Sequence, residues 1–237
     1  MKNKILLSLF FTSFISSASA NEEIIRNSYF NYIGTLEKTY TSQADRQIEL
    51  TIILDLESKW ADDQIMNREL EKTQRSLGDC GIGINKVEFI QVTLPQKFKD
   101  QVLVNNPYLG MPEVPIGLEG IPERKLLGFL FQKIKPYGSA FAINLSSVIR
   151  SERTTQFPSY RPLLGTFWIS EENSVHTNVP MADATYSTLA HEIVHIMGDL
   201  GHLENNTTRN LMGGSDIAGK NYSLTEAQCE AIMNHFF

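Results

Sequence analysis

From Thr188 to His202 the chain reads Thr-Leu-Ala-His-Glu-Ile-Val-His-Ile-Met-Gly-Asp-Leu-Gly-His. On a helix, residues i and i+4 stack on one face, so His191 and His195 can aim their imidazoles at a single metal ion. Nitrogen donors at about 2.0–2.1 Å suit zinc. Glu192 follows the first histidine and can reach water held by that ion. There it can act as a general base, taking the proton as the water attacks a carbonyl carbon. His202, beyond a turn with two glycines, can supply a third ligand and leave the fourth position open for water.

The surrounding residues support such a site. Leu189, Ile193, Val194, Ile196 and Met197 make the segment an apolar, buried helix, and Asp183, Thr185 or Ser187 can cap its start. Gly198 can take the left-handed conformation that ends a helix and turns the chain back. Asn210-Leu211-Met212-Gly213-Gly214 places Met212 where a tight turn can pass beneath three histidines. Thr225 can cap a final helix, with Gln228 three residues on as in a capping box.

The run from His191 to Met212 resembles the metzincin clan of zinc peptidases, whose motif is H-E-x-x-H-x-x-G-x-x-H followed by a methionine turn. One departure stands out: the third histidine falls at His202, eleven residues after His191 instead of ten, and because some related peptidases use Asp as third ligand, Asp199 is the rival. The clan's tyrosine two residues after the methionine is also absent, since Gly214 stands there; Tyr222 or Tyr160 would have to replace it. The resemblance implies an α+β fold with a twisted mixed sheet on two long helices, the active-site helix flooring a cleft. A small C-terminal lobe, about residues 203–237, would close the cleft from below. It further implies one catalytic Zn2+ on His191, His195 and His202, Glu192 as general base, and Met212 as the structural methionine. The activity expected is a metalloendopeptidase hydrolysing peptide bonds through zinc-activated water. Two alternatives stay open: a zinc-stabilised binding module, and a toxin or effector peptidase with one narrow target. His176 and His235 read as surface or structural residues.

Other elements must position this constellation. Glu49 to Leu56 is rich in β-branched and apolar residues and reads as a central strand. Asp62 or Asp63 can cap a helix to Leu77, with Ile65, Met66, Leu70 and Leu77 at helical spacing. Ile82 to Val92 reads as a second strand. Strand, helix and strand in so short a span form a βαβ unit with parallel strands. Pro122 to Lys135 reads as a short helix, and Phe141 to Leu145 and Thr166 to Ser170 as short strands. The last is the expected edge along which an extended peptide would bind. Leu94 to Gly120 and Ser151 to Leu164 read as long irregular segments bounding the cleft. Asn21 to Gln47 is open between helix, strap and pro-segment.

Composition bounds the setting. The 237 residues are 42% hydrophobic and 20% charged, as in ordinary globular domains. Lys2 and Lys4, the apolar run Ile5 to Ile15, and Ala18-Ser19-Ala20 have the form of a signal peptide over residues 1–20. The run is about half of the roughly 20 residues a membrane span needs. Residues 21–237 are then one catalytic domain, secreted or periplasmic, expected to be a monomer with no membrane span. Net charge is −6; without Lys2 and Lys4, 19 basic residues face 27 acidic ones, leaving −8. That balance lacks the basic footprint of a nucleic-acid binder, so the expected partner is a protein or peptide substrate. Cys80 and Cys229 are expected to form one disulfide in an oxidising compartment. Two buried thiols, or a latency thiolate at Cys80, are the other readings.

Overall fold

The computed structural model describes residues 31–94, 126–132, 140–143, 165–171, 187–203, 210–213 and 223–237. The signal-peptide segment, most of 94–120, residues 151–164, and Tyr160, His176, Asp183, Thr185, Gly214 and Tyr222 lie outside them.

Among the described residues, six strands form one mixed sheet. They are β1 (Asn31–Thr39), β2 (Arg46–Asp55), β3 (Ile82–Thr93), β4 (Leu126–Phe131), β5 (Ala140–Ile143) and β6 (Thr166–Ser170). The spatial order is β1-β3-β2-β4-β6-β5. The inner four run parallel, and β1 and β5 are antiparallel edges. Helix α1 (Asp63–Gly78) joins β2 to β3, so the expected βαβ unit is present with its strands parallel. Asp62 starts α1 by accepting from the amides of Gln64 and Ile65, satisfying two of the free first-turn donors.

The alternation of the strands splits the sheet into two buried faces. Leu50, Ile52 and Leu54 of β2, Phe89 of β3, Leu130 of β4 and Phe167 and Ile169 of β6 join one core cluster with α1 and with α2 (Thr188–Gly198). The opposite face carries Ile53, Ile90, Phe129, Phe131 and Trp168, all fully buried. There Phe129 stacks on Trp168 with ring centroids 3.8 Å apart.

Two expectations are corrected. Residues 126–131 are strand β4, not part of a helix over 122–135. The segment Leu-Leu-Gly-Phe-Leu-Phe is buried at every position between β2 and β6. Inner strands of parallel sheets read as unbroken apolar runs, which periodicity alone does not separate from helix. Gly128 fits here for a steric reason: a Cβ at that position would collide with the Phe167 ring. The second correction is that Thr166–Ser170 is not the sheet edge. It pairs with β4 on one side and β5 on the other, so among the described residues β5 is the edge strand beside α2. Within the open segment 21–47, residues 31–39 form the far edge strand β1.

Helix α3 (Glu226–Phe236) packs against α2. Thr225 and Gln228 form the expected capping box at its start. The Cys80–Cys229 disulfide joins the end of α1 to α3, with Cα atoms 5.1 Å apart. Among the described residues, no helix is long and apolar enough to cross a membrane.

Candidate metal centre

Helix α2 begins at Ser187, whose hydroxyl accepts from the Ala190 amide. The start is also held from outside. The Glu69 carboxylate on α1 accepts from the Ser187 hydroxyl at 2.6 Å and from the Leu189 amide at 3.2 Å. Thr73 adds a hydroxyl contact to Ser187 at 2.9 Å. A carboxylate at a helix N-terminus complements both the free amides and the helix dipole. This pins the helix one turn before His191.

The helix ends differently from the sequence reading. Gly198 is its last helical residue, and Asp199 takes the left-handed conformation, with φ 47°. Short polar side chains tolerate that region better than most. Glycine is needed at 198 for space: a Cβ there would stand 2.7 Å from Leu200 Cγ and 3.1 Å from Ile232. The turn delivers the Leu200 carbonyl to His195 Nδ1 at 2.5 Å. The chain then passes His202, and the Leu203 amide donates to the Met212 carbonyl at 3.0 Å. Met212 is fully buried in a turn closed by the Gly213 amide on the Asn210 carbonyl. From that turn the Leu211 carbonyl meets His191 Nδ1 at 2.7 Å.

These contacts fix the rings. A carbonyl only accepts, so Nδ1 of both His191 and His195 carries the proton and donates. In the neutral rings, Nε2 is then a bare lone pair. Yet the two Nε2 atoms stand 3.1 Å apart, and His202 Nε2 lies 2.9 Å from the first and 3.2 Å from the second. No hydrogen is available between the first pair. A shared cation accounts for the approach: nitrogens bound tetrahedrally at 2.0–2.1 Å from one ion stand roughly 3.3 Å apart. Carbonyls orienting ligand histidines through their other nitrogen are also the usual support of metal sites. The donor set therefore fits a metal ion.

Charge and burial agree. Desolvation, together with the neighbouring histidines, pushes His191 down to about 3, and desolvation pushes His195 down to about 4; burial also lowers His202. All three rings are neutral donors at neutral pH. Glu192 is buried, its Oε2 has no hydrogen-bond partner, and desolvation raises its pKa to about 8. A carboxyl in this setting needs nearby positive charge to ionise, and three neutral imidazoles provide none.

The structure thus brings His191, His195 and His202 together and places Glu192 on the same helix. Asp199 stands outside the cluster, and among the described residues no fourth side chain completes it. His235 lies exposed in the last turn of α3. Glu69, Thr73 and Asn210 take roles that no local sequence pattern announces. The signal for the first two was polar residues at 69 and 73 on the face of α1 that also buries Met66, Leu70 and Leu77. A comparison of the sequence with protein-family models and with curated proteins finds no match.

Proposed function

We propose that this chain is a secreted zinc endopeptidase of metzincin type, with His191, His195 and His202 holding the ion and Glu192 serving as general base. The observation carrying the proposal is the convergence of three Nε2 atoms within 3.2 Å, beside a helix position bearing a buried carboxyl with an unpartnered oxygen. A zinc ion in this cluster supplies Lewis acidity to a substrate carbonyl and lowers the pKa of water beside it. The chain does the rest. The Leu211 and Leu200 carbonyls keep His191 and His195 as neutral, oriented donors. Glu192 takes a proton from the attacking water and returns it to the leaving amine nitrogen. The mixed sheet, with antiparallel edge strand β5 beside α2, supports the metzincin-like reading and offers an edge on which an extended peptide can add as a strand. The Cys80–Cys229 bond fits an oxidising compartment.

The test is metal analysis of purified protein, followed by digestion of a peptide library by the parent and by Glu192→Ala. One zinc per chain with cleavage by the parent alone is expected. Equal cleavage by both proteins, or none by a zinc-loaded parent, would sink the peptidase assignment.

A further inference from the structure

We infer that Asn210 and Gln228 form a positioning clasp through which helix α3 sets the orientation of His191. The inference rests on the metal-centre reading above and extends that centre to a helix distant from it in sequence. The two side-chain amides exchange hydrogen bonds: Asn210 Nδ2 donates to Gln228 Oε1 at 2.7 Å, and Gln228 Nε2 donates to Asn210 Oδ1 at 3.2 Å. Both residues are buried. Each carbonyl oxygen has a further donor. Asn210 Oδ1 accepts from the Met212 amide at 2.8 Å, and Gln228 Oε1 from the Thr225 amide at 2.9 Å. Reversing either amide would set donor against donor, so the network permits one orientation.

The geometry leads to the histidine. Leu211 lies between Asn210 and Met212, which the Asn210 side chain ties to each other. Its own amide donates to the Ser223 carbonyl at 2.8 Å, just before α3. With Leu211 N held by Ser223 and Met212 N held by Asn210, the peptide plane between them is fixed, and with it the carbonyl that accepts from His191 Nδ1. Gln228 therefore serves two structures at once: it closes the capping box of α3 and grips the turn that orients a metal ligand. This is a positioning role, since neither amide touches the three Nε2 atoms.

The test uses the purified protein with three substitutions. Gln228→Glu retains an N3 side chain able to close the capping box but loses the donor to Asn210 and places two acceptors face to face. Asn210→Ala removes the clasp outright. Met66→Ala, a core truncation on α1, controls for general loosening. Two readouts are taken: the zinc dissociation constant by chelator competition, and the His191 Nδ1–H proton signal by NMR in metal-free protein. Both clasp variants are expected to weaken zinc binding by about 10-fold or more, in the range for outer partners of ligand histidines, and to lose the Nδ1–H signal. Met66→Ala is expected to melt earlier while keeping both. Unchanged zinc affinity and an intact Nδ1–H signal in Gln228→Glu would overturn the clasp, as would equal losses in Met66→Ala. A parent that binds no zinc overturns the metal-centre reading separately. The Nδ1–H signal then still decides the clasp: kept in the parent and lost in both variants upholds it, kept throughout overturns it.

Discussion

Glu69 on α1 accepts the hydroxyl proton of Ser187, the residue that begins α2, at 2.6 Å, and both side chains are buried. Truncating Glu69 leaves the Ser187 hydroxyl and the Leu189 amide without their acceptor. Hydrogen bonds to a charged group contribute about 1.5–3 kcal/mol, and in a domain of this size each kcal/mol moves Tm by roughly 2–4 °C. Glu69→Ala is expected to lower the Tm of metal-free protein by roughly 3–12 °C, and Glu69→Gln by less, because its Oε1 still accepts. Thermal melts of the three proteins decide this; an Ala variant melting with the parent would show that the contact contributes nothing.

The buried carboxyl and the histidines pull stability in opposite directions with pH. Glu192 has a raised folded-state value, about 8 against an ordinary 4.5. Its contribution is therefore complete below about pH 4.5 and is lost as pH rises through 8. His191 and His195 are depressed to about 3 and 4. Their contribution is present above the ordinary value of 6.5 and is lost as pH falls toward those values. In chelator-treated protein, Glu192→Gln is expected to raise Tm at pH 9 more than at pH 5. Saturating zinc should shrink the difference at pH 9, because a cation stabilises the ionised carboxylate. A pH-independent effect of the substitution would contradict the burial of an ionisable group there.

His202 and Asp199 separate cleanly as variants. His202→Ala removes one of three donors and is expected to weaken zinc binding by at least about 100-fold, beyond the usual loss for an outer partner. Asp199→Gly keeps the left-handed turn without strain and should bind zinc within about 3-fold of the parent. Asp199→Val should melt earlier, since a β-branched residue at positive φ costs about 1–2 kcal/mol or more. Chelator competition reads the first two and a melt the third. Strong zinc loss in Asp199→Gly with retention in His202→Ala would reverse the assignment.

Much of this arrangement was legible in the sequence where a local rule governs. The spacing of His191 and His195, the caps at Asp62 and Thr225, and the βαβ unit each follow from neighbours in the chain. Legibility failed where distant segments decide. Residues 126–131 become a strand because β2 and β6 flank them. Position 198 requires glycine because Leu200 and Ile232 crowd it, while the left-handed residue is its neighbour Asp199. Glu69, Asn210 and Gln228 acquire their roles across sequence separations of 118 and 18 residues. Hydrogen bonding of that reach leaves only a faint trace, a polar residue on an otherwise apolar face.

Removing the disulfide should cost more than any cap. The cross-link spans 149 residues, and loops of that length give about 2–5 kcal/mol when the bond is lost, chiefly through the freed unfolded chain. Cys80→Ala with Cys229→Ala is expected to lower the unfolding free energy from urea titration by that amount, with the midpoint falling accordingly. A midpoint equal to the parent's would mean that the unfolded chain gains no freedom without the bond.

The same bond has a consequence for the integrity of the molecule. Any backbone cut between Cys80 and Cys229 leaves two fragments covalently joined, and a cut before His191 leaves all three clustered histidines on the C-terminal piece. A nicked molecule keeps its mass on a non-reducing gel and separates only when thiols are added. For a protein proposed to cut peptide bonds, self-inflicted damage over most of its length becomes a survivable event, with both pieces still held around the same core.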